Sequence, residues 1–576
     1  MTRSDQDMSG DAAALRLGGP RRRWGRATAV ALLLAAAVLA VWAAAGLRSR
    51  TVVLVNGLGV EYGVLVDDRP IMLEPRSRYP IDLEPGSHRI RPVVLSGSMA
   101  SVTLDVPRAG LRGGAEPMAV VNLDRTALLR FDDDGAAPRW RTGKAMYRLA
   151  PDEQVDLIAP ADDQRLVSFA AASLPGDELI TLLARRAWHE PNNEVLLAVL
   201  ARQLSAEAFE RVMRPILEVK PIAIEAHRAY QIRLDRQNAT GALRNQYETL
   251  LAHNPQDPVR QYLMGRIEPD PQTANQLLRS AAEADAGGHA AAALAWAALA
   301  GGDVDAARRW ADTAVQRDPE RLRFALLQQE VWQAAGQWAK VAEQRQRWLA
   351  EGPGDYDLTL DLVGALAAAG RADAARQTLD ELLQLHAAGD ATPDLITRVR
   401  SKGEATIAIA RGDRAAAAEA LRPLLAGDEP PLWPNRYAAA LAAGQLDAGA
   451  DALAAGDRGG NWADPLLLAI EARRKGDGAV LRQQVAAAAG AAEQAGREGR
   501  TLARWLTGEI RPTAADLRTI QLDPADKPIA LVYFAGARPA LAPSALELAR
   551  TLNYQLDVGR LVVHDAIEAL GADQPD

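Results

Sequence analysis

The chain has 576 residues, 66 Lys and Arg against 74 Asp and Glu, a net charge of -8, 48% hydrophobic residues and no cysteine. A net negative chain releases no counterions from phosphates, which argues against a nucleic-acid binder. The missing cysteines exclude disulfides, thiolate zinc sites, iron–sulfur clusters and cysteine nucleophiles, and seven histidines leave few imidazoles for metal sites or general bases.

Residues 1–26 form an Arg-rich tail. The next segment, 27–47, reads ATAVALLLAAAVLAVWAAAGL without a charge. At 1.5 Å per helical residue it is long enough to span a hydrocarbon core of about 30 Å. Arg16, Arg21, Arg22, Arg23 and Arg26 precede it, and only Arg48 and Arg50 follow closely. This bias predicts one transmembrane helix with a cytoplasmic N-terminus and residues 51–576 extracytoplasmic. Ala43-Ala44-Ala45 leaves a cleaved signal as a second reading.

From 51 to 107 the runs TVVLV, YGVLV, RYPIDL, HRIRPVVL and SVTLDV alternate with Asn56-Gly57, Asp67-Asp68 and Pro85-Gly86. Short β-branched runs between turn residues predict a small antiparallel β-domain. Pro70, Pro80 and Pro92 point to edges or bulges. Asn56-Gly57-Leu58-Gly59 holds a G-x-G, but strands follow where a dinucleotide site needs a helix. His88 has no evident partner and reads as a structural strand residue. The segment Val64-Leu65-Val66-Asp67-Asp68-Arg69 and the turn Pro85-Gly86-Ser87-His88-Arg89-Ile90 resemble PEGA-type β-domains. That resemblance implies a display or spacer module beside a membrane.

A Gly-rich linker, RAGLRGGAEP, leads to a second β-rich or mixed segment at 118–175, with AVVNL, TALLRF and RLVSF. Asp132-Asp133-Asp134-Gly135 lacks the alternating acids and distal Glu of a calcium loop and reads as a solvated turn.

Residues 176–576 are rich in Ala, Leu, Arg and Glu. Gly302, Gly336 and Gly370 lie 34 residues apart, as do Pro319 and Pro353, and Pro221 and Pro255. In the unit from Gly288 to Arg321, Ala295, Ala298, Ala307, Ala311 and Ala314 allow close helix approach, and Pro319 ends the second helix. Further units centre on Gly412, Gly444 and Gly476, and the segment 528–570 reads as a C-terminal cap. The 34-residue helix–turn–helix period resembles the tetratricopeptide repeat. The fold class is therefore mainly α: a right-handed helical-repeat solenoid behind a small β-domain and one transmembrane helix.

The resemblance implies a concave wall built by the first helix of each pair, with Trp296, Arg323, Leu326, Glu330, Asp357 and Leu360 as the partner-binding groove. Trp296 packed between repeats is the competing reading. The carboxylate-clamp pattern is absent, because Ala292 and Trp296 occupy its places. No G-x-S-x-G, H-E-x-x-H or phosphate loop occurs, so no catalytic residue, metal or cofactor is expected. The expected function is a membrane-anchored interaction scaffold or assembly factor whose partners are envelope proteins. The alternatives are an accessory subunit of an envelope enzyme complex, in secretion or polysaccharide export, and an enzyme with its site in 118–175.

Overall fold

The computed structural model describes residues 30–39, 49–93, 99, 101–107, 118–132, 139–149, 154–158, 174, 176–284, 287–351, 356–388, 392–425, 433–456 and 461–572. The chain divides into two compact units, residues 1–229 and 230–576. Of the predicted span at 27–47, residues 30–39 are helical with exposed side chains, and the rest lies outside the described residues. Among the described residues no helix is long and apolar enough to cross a membrane.

The first unit opens with β1 (Arg50–Val55), β2 (Tyr62–Val66), β3 (Arg69–Leu73), β4 (Arg78–Leu83), β5 (Gly86–Pro92) and β6 (Val102–Val106). It continues with β7 (Ala119–Val121), β8 (Leu128–Asp132), β9 (Arg139–Arg141), β10 (Met146–Arg148) and β11 (Gln154–Ile158). They form three sheets with strand orders β10-β7-β1-β4, β3-β2-β5-β6 and β11-β8-β9. The segments read separately as 51–107 and 118–175 share the first sheet, where β1 pairs in parallel with β7. The reason lies in the β1 run RTVVLV. Val52 and Leu54 enter one core and Val55 another, so both faces are covered and the run loses its alternation. By contrast β6, VTLDV, buries Val102, Leu104 and Val106 and exposes Thr103 and Asp105. Pro70 and Pro80 lie on the edge strands β3 and β4, and Pro92 ends β5.

The β2–β3 hairpin turns on Asp67 and Asp68, with φ of 47° and 72°. Two successive left-handed residues match the twist of the flanking strands. His88 is not without a partner: its Nδ1 meets the Asp67 carboxylate and its Nε2 lies 2.7 Å from the Glu84 carbonyl. Burial works against its positive charge, but these two groups outweigh it and hold the imidazole above its ordinary pKa.

Helices α1 (Gly176–His189), α2 (Glu194–Gln203) and α3 (Ala206–Leu217) complete this unit. The 56–59 loop receives them. Gly57 O accepts from the buried Arg186 at 2.5 Å, and Gly59 N donates to Glu190 at 2.7 Å. A Cβ on Gly57 would lie 2.3 Å from the Ala127 nitrogen. The G-x-G pattern thus serves close backbone approach in a clasp.

The second unit begins within α4 (Ile224–Arg236). Pairs follow: α5 (Thr240–His253), α6 (Pro258–Ile267), α7 (Pro271–Ala284), α8 (His289–Ala300), α9 (Val304–Arg317), α10 (Leu322–Ala334) and α11 (Trp338–Glu351). Next come α12 (Tyr356–Ala368), α13 (Ala372–Ala388), α14 (Pro393–Ala410), α15 (Arg414–Leu421), α16 (Trp433–Ala442), α17 (Leu446–Ala455), α18 (Ala463–Lys475) and α19 (Gly478–Glu493). The last helices are α20 (Arg497–Leu506), α21 (Ala514–Thr519), α22 (Lys527–Ala537), α23 (Ala542–Leu552) and α24 (Val558–Ala572).

One turn recurs through this unit. Gly302, Gly336, Gly370, Gly412, Gly444 and Gly476 all have φ between 65° and 82°. The residue after each glycine donates its N–H to the carbonyl five residues back, as in Asp303 to Ala298 at 2.9 Å and Asp477 to Ala472 at 2.9 Å. This is the glycine-dependent helix C-cap. Asn238, φ 55°, replaces glycine in the α4–α5 turn with the same bond, Ala239 to Leu234 at 2.8 Å. Asp303, Asp413 and Asp477 then cap the second helix of their pairs. Ala307, Ala311 and Ala314 are fully buried where helices touch.

Candidate functional site

The predicted groove residues fall on first helices of three consecutive pairs. Trp296 is half-buried on α8, and Arg323 and Glu330 are half-buried on α10. Leu326, between them on α10, is 45% exposed, and Leu322 one turn earlier is 59% exposed. Positions 322, 326 and 330 step by four and share a face of the helix. On α12, Asp357 is exposed, while Leu360 packs against the core around Leu362 and Leu366.

The C-terminal segment read as a cap reaches far back along these first helices. Helix α24 packs against α14, α16 and α18, and α22 packs against α18 and α24. Leu548 meets Gly302, where a Cβ would lie 2.4 Å from its Cδ1, and Leu556 meets Gly364. Ala295 and Leu299 of α8 share one core with Leu531, Phe534, Leu561 and Val562. Both ends of this unit also meet. Arg497 N donates to the Asp235 carboxylate at 3.0 Å, and Arg500 donates to the Asp235 carbonyl at 2.9 Å.

Lys527 fastens the segment. Its fully buried ammonium donates to Ala300 O at 2.6 Å, Arg518 O at 2.9 Å and Ile520 O at 2.8 Å, which uses all three of its protons. Burial pulls its pKa down to about 7, against the pull of Glu498.

Beside it lies a group of carboxylates. Burial, then the charge of Asp523, raises Glu330 to about 7. Burial raises Asp526 to about 7 as well, followed by Asp523, Asp464 and Asp557. Tyr554 is 3% exposed, with its hydroxyl buried near Gln555. Burial, then Glu330 and Asp523, holds its proton far above the ordinary phenol range.

Of the six predicted residues the structure ties Glu330 to this group. Sequence reasoning missed Asp464, Asp523, Asp526 and Tyr554, because α18 and the loops before α22 and α24, all more than a hundred residues from Glu330, deliver them and no local spacing marks them. Among the described residues no group of three or more His, Asp or Glu is arranged to hold a metal. Asp133 and Asp134, and the side chain of Asp132, lie outside what is described.

No protein-family model and no curated protein matches the sequence. Among solved structures the chain is similar to the one titled "Structure of Naa15/Naa10 bound to HypK-THB", at 14% identity over 70% of this chain and 74% of that one, with a TM-score of 0.23. The resemblance of 51–107 to PEGA-type domains stays at two local turns. The α-rich second unit, with its recurring turns, fits a solenoid of the tetratricopeptide kind.

Proposed function

We propose that this protein is a membrane-anchored interaction scaffold of the bacterial envelope and not an enzyme, and that the first-helix face around α8, α10 and α12 holds a basic segment of a partner protein. The observation that carries the reading is the exposed pair Leu322 and Leu326 on one face of α10, with Glu330 one turn on and the exposed Asp523 near that carboxylate. An incoming Lys or Arg relieves carboxylate repulsion while its stem covers the leucines. Anchoring rests on the uncharged run at 27–47, and the extracytoplasmic placement of 51–576 rests on the Arg bias around it.

The test is affinity capture from detergent-solubilised membranes, with the captured proteins quantified by mass spectrometry. Trp296→Ala and Arg323→Ala should each weaken capture of the same protein by at least ~2 kcal/mol, the level of an interface hot spot. Arg309→Ala, on an exposed position of α9, should not. Full capture by a folded Trp296→Ala, Arg323→Ala double variant contradicts the assignment.

A further inference from the structure

We propose that the first unit contains a second binding site, a pocket between the 122–127 loop and helices α1 and α3 that takes a small molecule carrying an oxyanion on an apolar body. The cavity has a volume of about 630 Å³, within the usual range of small-molecule sites.

The loop explains why a cation stands there. The buried Asp124 carboxylate is saturated: Gly57 N and the Tyr62 hydroxyl donate to one oxygen, and Thr126 N and Oγ1 donate to the other. It has no lone pair to spare for its neighbour. Arg125 leaves this anchored turn at φ 58°, a conformation uncommon for a long side chain, and lines the cavity. Its Nε is buried without a hydrogen-bond partner among the described residues.

Arg185 enters from α1. It donates one bond, to Gly143 O at 2.9 Å, and its other N–H groups are left for a ligand. Burial, and then the like charge of Arg125, holds Arg185 below its ordinary pKa. Both guanidiniums line the cavity, and among the described residues no carboxylate pairs with either, although Asp177 also lines it. Asp177 is exposed, and Glu207 is engaged with Arg211 at 3.1 Å. His189 also lines the cavity; burial keeps it neutral, and its Nδ1 has no hydrogen-bond partner.

No carboxylate among the described residues bridges the two arginines, which leaves room for an anion from outside. Planar guanidinium forks suit a phosphate or a carboxylate. Ile180, Trp188, Val212 and Ile216 give the wall an apolar part, beside the polar Asp177, Thr181 and Arg211. Trp188 offers a flat face to a ring or chain. Residues 177, 181, 184, 185 and 188 fall on one face of α1, which aims this whole wall inward.

Titration calorimetry with the full chain in detergent, using phenyl phosphate, benzoate and inorganic phosphate, tests the site. Phenyl phosphate and benzoate should bind and inorganic phosphate should bind more weakly, because it leaves Trp188 uncovered. Arg125→Gln and Arg185→Gln should each lower affinity by about tenfold or more, and Arg214→Gln, which pairs with Glu210 at 3.4 Å and does not line the cavity, by less than about threefold. Arg125→Lys, which keeps the charge and loses the fork, should fall between. Thermal melts establish that each variant is folded, and a rise in the wild-type melting temperature with phenyl phosphate gives an independent readout. No heat and no melting shift with any probe at about 10 mM overturns the proposal. Equal binding by a folded Arg125→Gln, Arg185→Gln variant overturns it too.

Discussion

Lys527→Met is the sharpest probe of how the C-terminal segment is held. The substitution keeps the apolar stem and removes an ammonium that donates to Ala300 O, Arg518 O and Ile520 O. Three buried carbonyls lose their donor, at about 1–3 kcal/mol each, so roughly 3–9 kcal/mol in all. Against this, the variant no longer buries a charge, which returns several kcal/mol. The net expectation is a loss of about 2–4 kcal/mol. The loss should also depend on pH. Between about 7, the native pKa of Lys527, and its ordinary value of 10.5, the unfolded chain binds a proton that the native chain has released. Wild-type stability therefore gains with rising pH in that window, and the methionine variant lacks the gain. Urea melts of the full chain, followed by tryptophan fluorescence, read both effects, since Trp505 is buried edge-on against Phe534 in the same core. A variant as stable as wild type, or more stable, would refute the reasoning. So would a deficit that does not widen from pH 7 to pH 9.

Glu330→Gln should act in the opposite sense. A carboxyl raised to about 7 keeps a proton that the unfolded chain gives up near the ordinary value of 4.5, so wild-type stability falls as pH rises between them. The variant should gain on the order of 1–2 kcal/mol at pH 8 and nothing at pH 4, measured by melts at the two pH values. Ala307→Arg should cost about 1–3 kcal/mol from overpacking and more from the buried charge, because Ala307 is fully buried; an unshifted melting curve would show the position to be open. A fusion of alkaline phosphatase at Asp576 should be active, and a silent enzyme with a fluorescent cytoplasmic-type fusion would place residues 51–576 on the cytoplasmic side.

The repeats were legible because their turn makes a demand that only a few residues meet. A helix ending with its next residue in the left-handed region selects glycine, so the 34-residue spacing of Gly302, Gly336 and Gly370 reports backbone geometry directly. The α4–α5 pair meets the same demand with Asn238 in place of glycine, and the 34-residue step from Pro221 to Pro255 marked it instead. The hairpin at Asp67-Asp68 was legible for a similar reason. The parallel pairing of β1 with β7 was not, since a strand covered on both faces loses the alternation that announces its partners. The return of α22 and α24 along the first helices left no periodic trace either: Leu548 fits against Gly302 by shape, across nearly 250 residues. The groove residues were nameable from register alone, but the carboxylates that give the face its charge come from segments that register does not connect.

The central claim, that the first-helix face around α10 receives a partner, is tested most directly by a photo-crosslinking residue placed at Leu326 in living cells. Leu326 is 45% exposed one turn from Glu330, so replacing it disturbs little of the core. The account predicts one dominant crosslinked protein with a basic contact segment, lost on Glu330→Lys and absent when the crosslinker stands at the exposed Arg309. No crosslink at Leu326, or the same product from Arg309, would contradict it.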